Sequence, residues 1–272
     1  MLVMIMKSDL HIHTKYSDGE LDEYEVINEV IKSNVKEFAI CDHDTIEGSK
    51  KVYDLLKDNN YGLLFHSGVE FSCRYKNINM HLLVRNFQYD DENIIYLIDK
   101  ISGLRKQRIS SMIKLVKDIY DIDVDMKLVE EVAKNTNSFG KPHLYKILLT
   151  YGNYDREEYY RNMDNLKSEG FKLDSYEVIT KLNNSSSYVT MAHPIEIMKE
   201  YNYTYEDIDS LVRELANIGL KGLETRHSSH THTDYIEFSK IAKKHNLIET
   251  MGSDFHGEGV QPGIKIGMLE AI

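Results

Sequence analysis

The sequence predicts an α/β fold in which βα units surround a mostly parallel sheet or barrel, interrupted by an insertion of helices. Three observations predict it. Short apolar runs alternate with helical patterns over much of the chain, several of those runs end in His, Asp or Glu, and from 91 to 184 the strand signal gives way to charged, helical sequence. Alternation of this kind is the signature of strands joined by crossover helices. The 272 residues suffice for one large domain or for a domain carrying a smaller insert, and 42% hydrophobic residues suffice for a core.

The first run, Met4 to Ile12, ends in His11-Ile12-His13, with Met1, Met4 and Met6 each able to start the chain. A helix is expected from about Leu21 to Ser33, where Val26, Ile27, Val30 and Ile31 recur at helical spacing. Glu37 to Cys41 then runs into Asp42-His43-Asp44, and after a second helix Gly62 to Phe65 leads to Gly68-Val69-Glu70. A further strand is read at Asn79 to Val84, containing His81. Beyond the insert, Tyr188 to Ala192 ends at His193-Pro194, Lys221 to Leu223 at Glu224, and Leu247 to Met251 at Gly252-Ser253-Asp254-Phe255-His256. About seven strands result. Helical patterns in the insert cover Ile94 to Asp118, Lys127 to Lys134, Pro142 to Tyr151 and Ser175 to Leu182. The expected division is therefore a sheet or barrel domain from 1–90 and 185–272, and a helical insertion domain from 91–184.

Composition excludes several classes. Lys and Arg number 33 against 44 Asp and Glu, so the net charge is -11, and a basic protein that coats nucleic acid is ruled out. Cys41 and Cys73 are the only cysteines. They support neither a disulfide framework nor a cysteine zinc cluster, which suits a cytoplasmic protein. The apolar start, Met1 to Met6, is too short for a signal or a membrane span. What stands out is 12 His.

Side chains at i and i+2 on a strand share a face, so His11 and His13 can grip one ion, and Asp254 with His256 repeats the spacing. Neutral imidazole with carboxylate is ligand chemistry for zinc, manganese or iron. Any one of these His read alone is a surface or satisfied core residue. Their coincidence at six strand ends, where α/β folds gather their sites, points to a metal centre.

In order along the chain, Asp9-Leu10-His11-Ile12-His13-Thr14 with Ser17-Asp18-Gly19, Asp42-His43-Asp44, Gly68-Val69-Glu70, His81, Ala192-His193-Pro194, Gly222-Leu223-Glu224 and Gly252-Ser253-Asp254-Phe255-His256-Gly257 resemble the motifs of the PHP (polymerase and histidinol phosphatase) superfamily. The resemblance implies a distorted (β/α)7 barrel. The insert is similar to that of the stand-alone bacterial branch acting on nucleotide phosphates, where a Gly-Arg-Pro-His segment occurs; here it reads Gly140-Lys141-Pro142-His143. Lysine keeps the charge and loses the bidentate fork.

Carried onto matching positions, the resemblance implies three metal sites: His11, His13, Glu70 and Asp254; Glu70, His81 and His193, with Glu70 bridging; and Asp18, His43 and His256. Paired divalent ions about 4 Å apart bring a bridging water near neutral pKa, so the expected nucleophile is a metal-bridging hydroxide, with a third ion neutralising the phosphate oxygens. Asp9, read as sharing the His11 and His13 face, is expected to orient an imidazole or to cap a turn, and Asp44 likewise. His230, six residues after Glu224, is a candidate for phosphate contact or leaving-group protonation, with a solvated loop His as the alternative. His227 and His232 read as neighbours, and His66 and His245 carry no role. Arg105, Arg108, Lys141 and His143 are candidates for a cationic lid binding substrate, against a solvated charged face. Cys41 reads as a small buried hydrophobe.

Three functions compete. A metal-dependent phosphoesterase removing phosphate from a nucleotide such as a 3',5'-bisphosphate, with short RNA or DNA as a further substrate, is favoured, and histidinol phosphate is its rival substrate. A metal-dependent amidohydrolase commonly bridges its metals with a modified Lys, where this chain has Glu70. A silent accessory PHP module would dispense with ligands that are all present here.

Overall fold

The computed structural model describes residues 7–59, 61–133, 140–164, 170–183 and 185–269. Met1, Met4 and Met6 of the first apolar run, Lys134 at the end of one expected helix and position 184 at the expected domain boundary lie outside the described residues. Two compact units are formed, Met1–Leu97 with Leu173–Ile272, and Ile98–Lys172. No helix among the described residues is long and apolar enough to cross a membrane.

In the first unit, β1 (Ser8–Ile12), β2 (Glu37–Ile40) and β3 (Leu64–His66) form a parallel sheet of three strands. The second sheet has the order β6-β4-β5-β7-β8-β9, from β4 (Gly68–Tyr75), β5 (Ile78–Arg85), β6 (Leu173–Asp174), β7 (Tyr188–Met191), β8 (Gly222–His227) and β9 (Ile248–Gly252). Single bridges, Ile12 to Phe255 and His43 to Glu70, join the two sheets, so the fold is mixed α/β without one continuous closed ladder among the described residues.

Two expectations are corrected. Nine strands are described instead of about seven, because the run after Gly62 divides into β3 and β4 and because Leu173–Asp174 adds a short strand against β4. The sheet is also less parallel than expected, since β5 runs antiparallel to both β4 and β7. Its link to β4 is only Lys76-Asn77, too short for a crossover, and Lys76 turns the chain at φ 53.

Helices α1 (Glu23–Lys32), α2 (Glu47–Asp58), α7 (Ser175–Leu182), α8 (Pro194–Tyr201), α9 (Tyr205–Asn217) and α10 (His232–Lys244) also belong to this unit, which thus takes in the Ser175–Leu182 segment. Helix α1 starts where it does because the Asp22 side chain accepts from the Tyr24 and Glu25 amides while Glu25 reaches back to the Asp22 amide. Its buried stripe, Val26, Ile27 and Val30, joins Ile12, Phe38, Ile40, Val52 and Phe255 in the core. Each such side chain contributes roughly 1.5–3 kcal/mol by burial. A second patch of small and aliphatic residues, Ala39, Cys41, Leu83 and Ala192 with Leu10, lies between strands of both sheets.

The first turns of α3 (Glu92–Tyr120) lie in the first unit and the rest in the second, with α4 (Met126–Ala133), α5 (Lys141–Tyr151) and α6 (Arg156–Asp164). The second unit has its own core, including Ile109, Met112, Val116, Leu144, Ile147, Leu148 and Tyr159. Tyr159 is fully buried, and its hydroxyl donates to the Lys141 carbonyl at 2.8 Å, satisfying the polar end of the ring.

Candidate metal centre

The carboxyl ends of β1, β2, β7, β8 and β9 deliver polar side chains to one place, and β4 and β5 add Glu70 and His81 from within their spans. Opposite residues of an antiparallel pair share a face, so Glu70 and Leu83 point inward together, and His81, two residues from Leu83, follows them. Gly252 lets β9 approach β1, because a Cβ there would overlap the Cβ of His11. Three residues at the site, Asp44 (φ 57), His193 (φ 22) and Asp254 (φ 57), hold left-handed backbone. Such positions cost on the order of 1–3 kcal/mol each and persist where the surrounding structure overrides them.

Glu70 stands at the middle. Its Oε2 lies 3.3 Å from His11 Nε2, 3.2 Å from His13 Nε2 and 3.0 Å from His43 Nδ1; its Oε1 lies 3.0 Å from His81 Nδ1 and 2.9 Å from His193 Nε2. Asp254 Oδ1 is 3.3 Å from His11 Nε2 and 3.1 Å from His13 Nε2. Asp18 reaches His256 Nε2 at 3.3 Å and His13 and His43 at 3.7 Å. His11, His13 and Glu70 are fully buried, whereas the side chain of Asp18 is 50% exposed and that of His81 27%, so access is on their side.

The nine ligand candidates are thus brought together, and four-atom sets lie within 4.8 Å, one being His11, His13, Glu70 and Asp254 and another His13, Asp18, His43 and His256. His43, Glu70 and His81 form a third group, which His193 joins through Glu70 and through a 3.3 Å approach to His81 Nδ1.

Charge in the cluster is strongly coupled. Burial disfavours the imidazolium of His13, but Asp254 and Glu70 outweigh it and push the group up to about 10. His193 rises to about 9 in the same way, against burial and because of Glu70. Burial alone would raise Glu70 and Asp254, yet the surrounding imidazoles hold both well below the usual carboxylate range. For His81 burial wins and the group is lowered.

Two residues carry more than sequence reasoning assigned them. Glu224 is fully buried, with Oε1 3.1 Å from His11 Nδ1 and Oε2 accepting the His193 amide at 2.7 Å, so it turns His11 Nε2 toward Glu70. His227, read as a neighbour, has Nε2 3.3 Å from Asp254 Oδ2 and forms a possible ligand group with His11 and Glu224. Regular alternation would put Glu224 and His227 on opposite faces. An irregularity between Glu224 and Arg226 leaves Thr225 unpaired and brings both to one side.

The same device decides between the two readings of Asp9. A register shift between Asp9 and Ile12 breaks the parity that would place Asp9 beside His11 and His13. Its carboxylate reaches no imidazole; it accepts the amides of Ser253 at 2.9 Å and Gly267 at 2.7 Å, anchoring the loop that carries Asp254 and His256. Asp44 likewise accepts the Ser72 amide at 2.7 Å. Asp42 takes the Thr14 amide and hydroxyl and the Ser17 hydroxyl, all at 2.7 Å, and so shapes the turn before Asp18.

His230 is no solvated loop residue, being 7% exposed. Its Nδ1 donates to the Thr225 carbonyl at 3.1 Å, and burial, reinforced by His227, pushes it down to about 4. With Nδ1 donating, Nε2 is the lone-pair nitrogen, buried and without a hydrogen-bond partner, and a neutral ring in this tautomer does not suit leaving-group protonation. Burial pushes the Cys41 thiol up to about 12, in keeping with an inert residue. Arg105 and Arg108 lie on α3, and Lys141 and His143 in the first turn of α5, all within the second unit. His143 Nδ1 accepts the Gly140 amide at 3.1 Å and closes its own helix start.

Three curated relatives align over nearly the whole chain. A 5'-3' exoribonuclease of Haemophilus influenzae is 24% identical over 258 residues, 93% of this chain and 91% of its own. A phosphoribosyl 1,2-cyclic phosphate 1,2-diphosphodiesterase of Eggerthella lenta is 24% identical over 266 residues, covering 93% of this chain and 95% of its own. A 3',5'-nucleoside bisphosphate phosphatase of Chromobacterium violaceum is 23% identical over 270 residues, covering 96% and 91%. Among solved structures, a Bifidobacterium adolescentis protein assigned to the metal-dependent phosphoesterases has a TM-score of 0.74 at 24% identity, over 96% of this chain and 92% of that one, a likeness of fold. The family match to the PHP domain ends at residue 225, so Asp254 and His256 rest on the geometry above. With residues 9–225 matched, the chain belongs to the PHP domain family.

Proposed function

We propose that this chain is a metal-dependent phosphoesterase that hydrolyses a phosphate ester of a nucleotide, with two or three divalent ions at the strand ends of a distorted (β/α)7 barrel. The observation that carries the reading is contact without alignment. Glu70 Oε2 and His43 Nδ1 lie 3.0 Å apart, and His227 Nε2 lies 3.3 Å from Asp254 Oδ2, yet Glu70 Oε2, His43 Nδ1 and His227 Nε2 are all buried without a hydrogen-bond partner. His11 Nε2 and His13 Nε2 also face each other at 3.1 Å, and two imidazole nitrogens gain little by meeting. Lone pairs that converge on a point instead of on one another suit shared cations.

His11, His13, Glu70 and Asp254 would hold one ion, Glu70, His81 and His193 a second, and Asp18, His43 and His256 a third. Manganese, zinc and iron all accept this donor set. Such ions would supply Lewis-acid charge to the phosphoryl oxygens and acidify water within the site. The chain's own residues do the positioning. Glu224 fixes the face that His11 presents, Asp9 and Asp42 tie down the loops bearing Asp254 and Asp18, and the apolar patch of Ala39, Leu83 and Ala192 backs the inner end.

The substrate class is a nucleotide with a terminal phosphate, a 3',5'-nucleoside bisphosphate or the end of a short oligonucleotide. It is supported by relatives named for a bisphosphate phosphatase and an exoribonuclease that align over more than nine-tenths of this chain. The test is a product-release panel with manganese, zinc and iron in turn, covering bisphosphate nucleotides, mononucleotides, short RNA, phosphoribosyl cyclic phosphate and histidinol phosphate. Fastest release from a bisphosphate nucleotide or RNA is expected. Faster turnover of histidinol phosphate than of every nucleotide overturns the assignment.

A further inference from the structure

Behind His13 lies a buried hydroxyl. After β1 the chain folds back at once, with the Ser17 and Gly19 amides donating to the Thr14 carbonyl at 3.1 and 3.0 Å, and this turn returns Ser17 to the imidazole it has just left. Ser17 Oγ lies 3.4 Å from His13 Nδ1 and 2.7 Å from Asp42 Oδ1, and all three residues are buried.

The direction of each bond follows from counting protons. Asp42 Oδ1 also accepts the Thr14 amide at 2.7 Å, and Oδ2 accepts the Thr14 hydroxyl at 2.7 Å, so both oxygens are acceptors. Ser17 therefore gives its single hydroxyl proton to Asp42, and its oxygen is left to accept from His13 Nδ1. Asp18 Oδ1, 3.7 Å from the same nitrogen, is a second acceptor. Nδ1 thus faces acceptors and carries a proton. Across the ring, Nε2 is turned toward Glu70 Oε2 and Asp254 Oδ1, at 3.2 and 3.1 Å. A proton held on Nδ1 makes Nε2 the nitrogen that can offer a lone pair.

Two features bind Asp42 to this arrangement. The first turn of α2 packs against its carboxyl group, since a Cβ on Gly48 would overlap Asp42 Oδ2 and Thr14 Oγ1, and the positive end of a helix favours an anion beside it. Burial raises Asp42 above its ordinary value, and charge on His13 is the largest effect drawing it back. His11 is held differently, its Nδ1 meeting the Glu224 carboxylate directly at 3.1 Å. One imidazole is backed by an acid, the other by a hydroxyl that leans on an acid.

We infer that Ser17 and Asp42 form a relay that keeps the Nδ1 proton on His13 and presents its Nε2 to the ion proposed between His11, His13, Glu70 and Asp254. Both are positioning residues that act through His13, and the inference rests on the metal centre proposed above.

Calorimetric titration of the metal-free protein with zinc, with spectra of nitrogen-labelled histidine taken on the same samples, tests it. Ser17→Ala should weaken zinc binding about tenfold. Asp42→Asn should weaken it by a similar factor, and the double variant should bind no more weakly than the worse single one, because both substitutions break one relay. In the zinc-loaded wild type the His13 Nδ1 proton, assigned by its absence from His13→Gln, should give a resolved signal that Ser17→Ala loses to exchange with water. The Nδ1 protons of His11, held by Glu224, and of His256, held by the Asp254 carbonyl at 2.9 Å, should persist. A role confined to closing the turn would lower the melting temperature and leave the His13 signal in place. Equal zinc affinity in wild type and Ser17→Ala overturns the inference, and so does a His13 signal that survives in Ser17→Ala. An effect of Asp42→Asn that is undiminished in the Ser17→Ala background also overturns it, since Asp42 would then act through Thr14. Should the Asp42 variants fail to fold, the two Ser17→Ala measurements decide alone. A wild type that binds no zinc overturns the proposed metal centre and this inference with it, whereas equal affinities overturn the relay alone.

Discussion

The two ends of the same strands use polar residues in opposite ways. At one end, His11, His13, His43, His81 and His193 crowd around Glu70, and several contacts are close without being aligned as hydrogen bonds. At the other, Glu37 with His66 and Glu249 with Lys243 are discrete pairs, and Arg85 donates to the Thr190 hydroxyl. Discrete pairs satisfy themselves and contribute modest stability. Convergent groups that do not satisfy one another are what the proposed ions would join.

Four measurements would break or sharpen that contrast. Glu70→Gln removes the charge shared by two of the three proposed ion sets and should lower turnover by about 10³-fold while sharply reducing the rise in melting temperature on adding divalent metal. Near-normal turnover would show that convergence at Glu70 is structural. Glu224→Gln alters the partner of the far nitrogen of His11 and of the His193 amide and should cost roughly 10–100-fold in metal affinity, with turnover recovered by excess metal. Failure of metal to restore it would place Glu224 in the reaction itself.

The third concerns protons. Without metal, His13 at about 10 and His193 at about 9 carry protons at neutral pH, raised by Glu70 and Asp254 against the effect of burial. A folded-state pKa above the unfolded value of about 6.5 gives stability that is fully present below pH ~6.5 and is lost as pH rises through the folded pKa values. Metal must expel these protons, so uptake should release them and tighten with rising pH. Calorimetry in two buffers of different ionisation heat would detect the release; metal binding with no proton transfer would remove His13 and His193 from the ligand sets. The smallest effect is expected at the other end of the strands. Glu37→Gln should cost about 1 kcal/mol in chemical denaturation and leave turnover alone, as befits a local pair.

The candidate ligand types and their places at strand ends were legible because each is local: an apolar run stops, and His or a carboxylate follows. His11 with His13 and Asp254 with His256 needed only the two-residue repeat of a strand. Where that repeat is interrupted, legibility ended. Extra residues in β1 and β8 change the facing of Asp9 and of His227, so of the two roles open to Asp9 the structure shows the loop anchor, and His227, read as a neighbour, lies beside Asp254. No composition signal marks those irregularities.

By itself, then, the sequence determined the α/β class, helices among the described residues between Glu92 and Leu182, and the order in which imidazoles and carboxylates arrive, since hydrophobic period and strand-end chemistry are properties of neighbouring residues. Tertiary structure alone decided which groups meet. Glu70 faces imidazoles from four other strands and loops, Glu224 orients His11 from 213 residues away, the short hairpin reverses β5, and Arg85 donates to the Thr190 hydroxyl. Each depends on register between distant segments, which is set when the strands pair and not before.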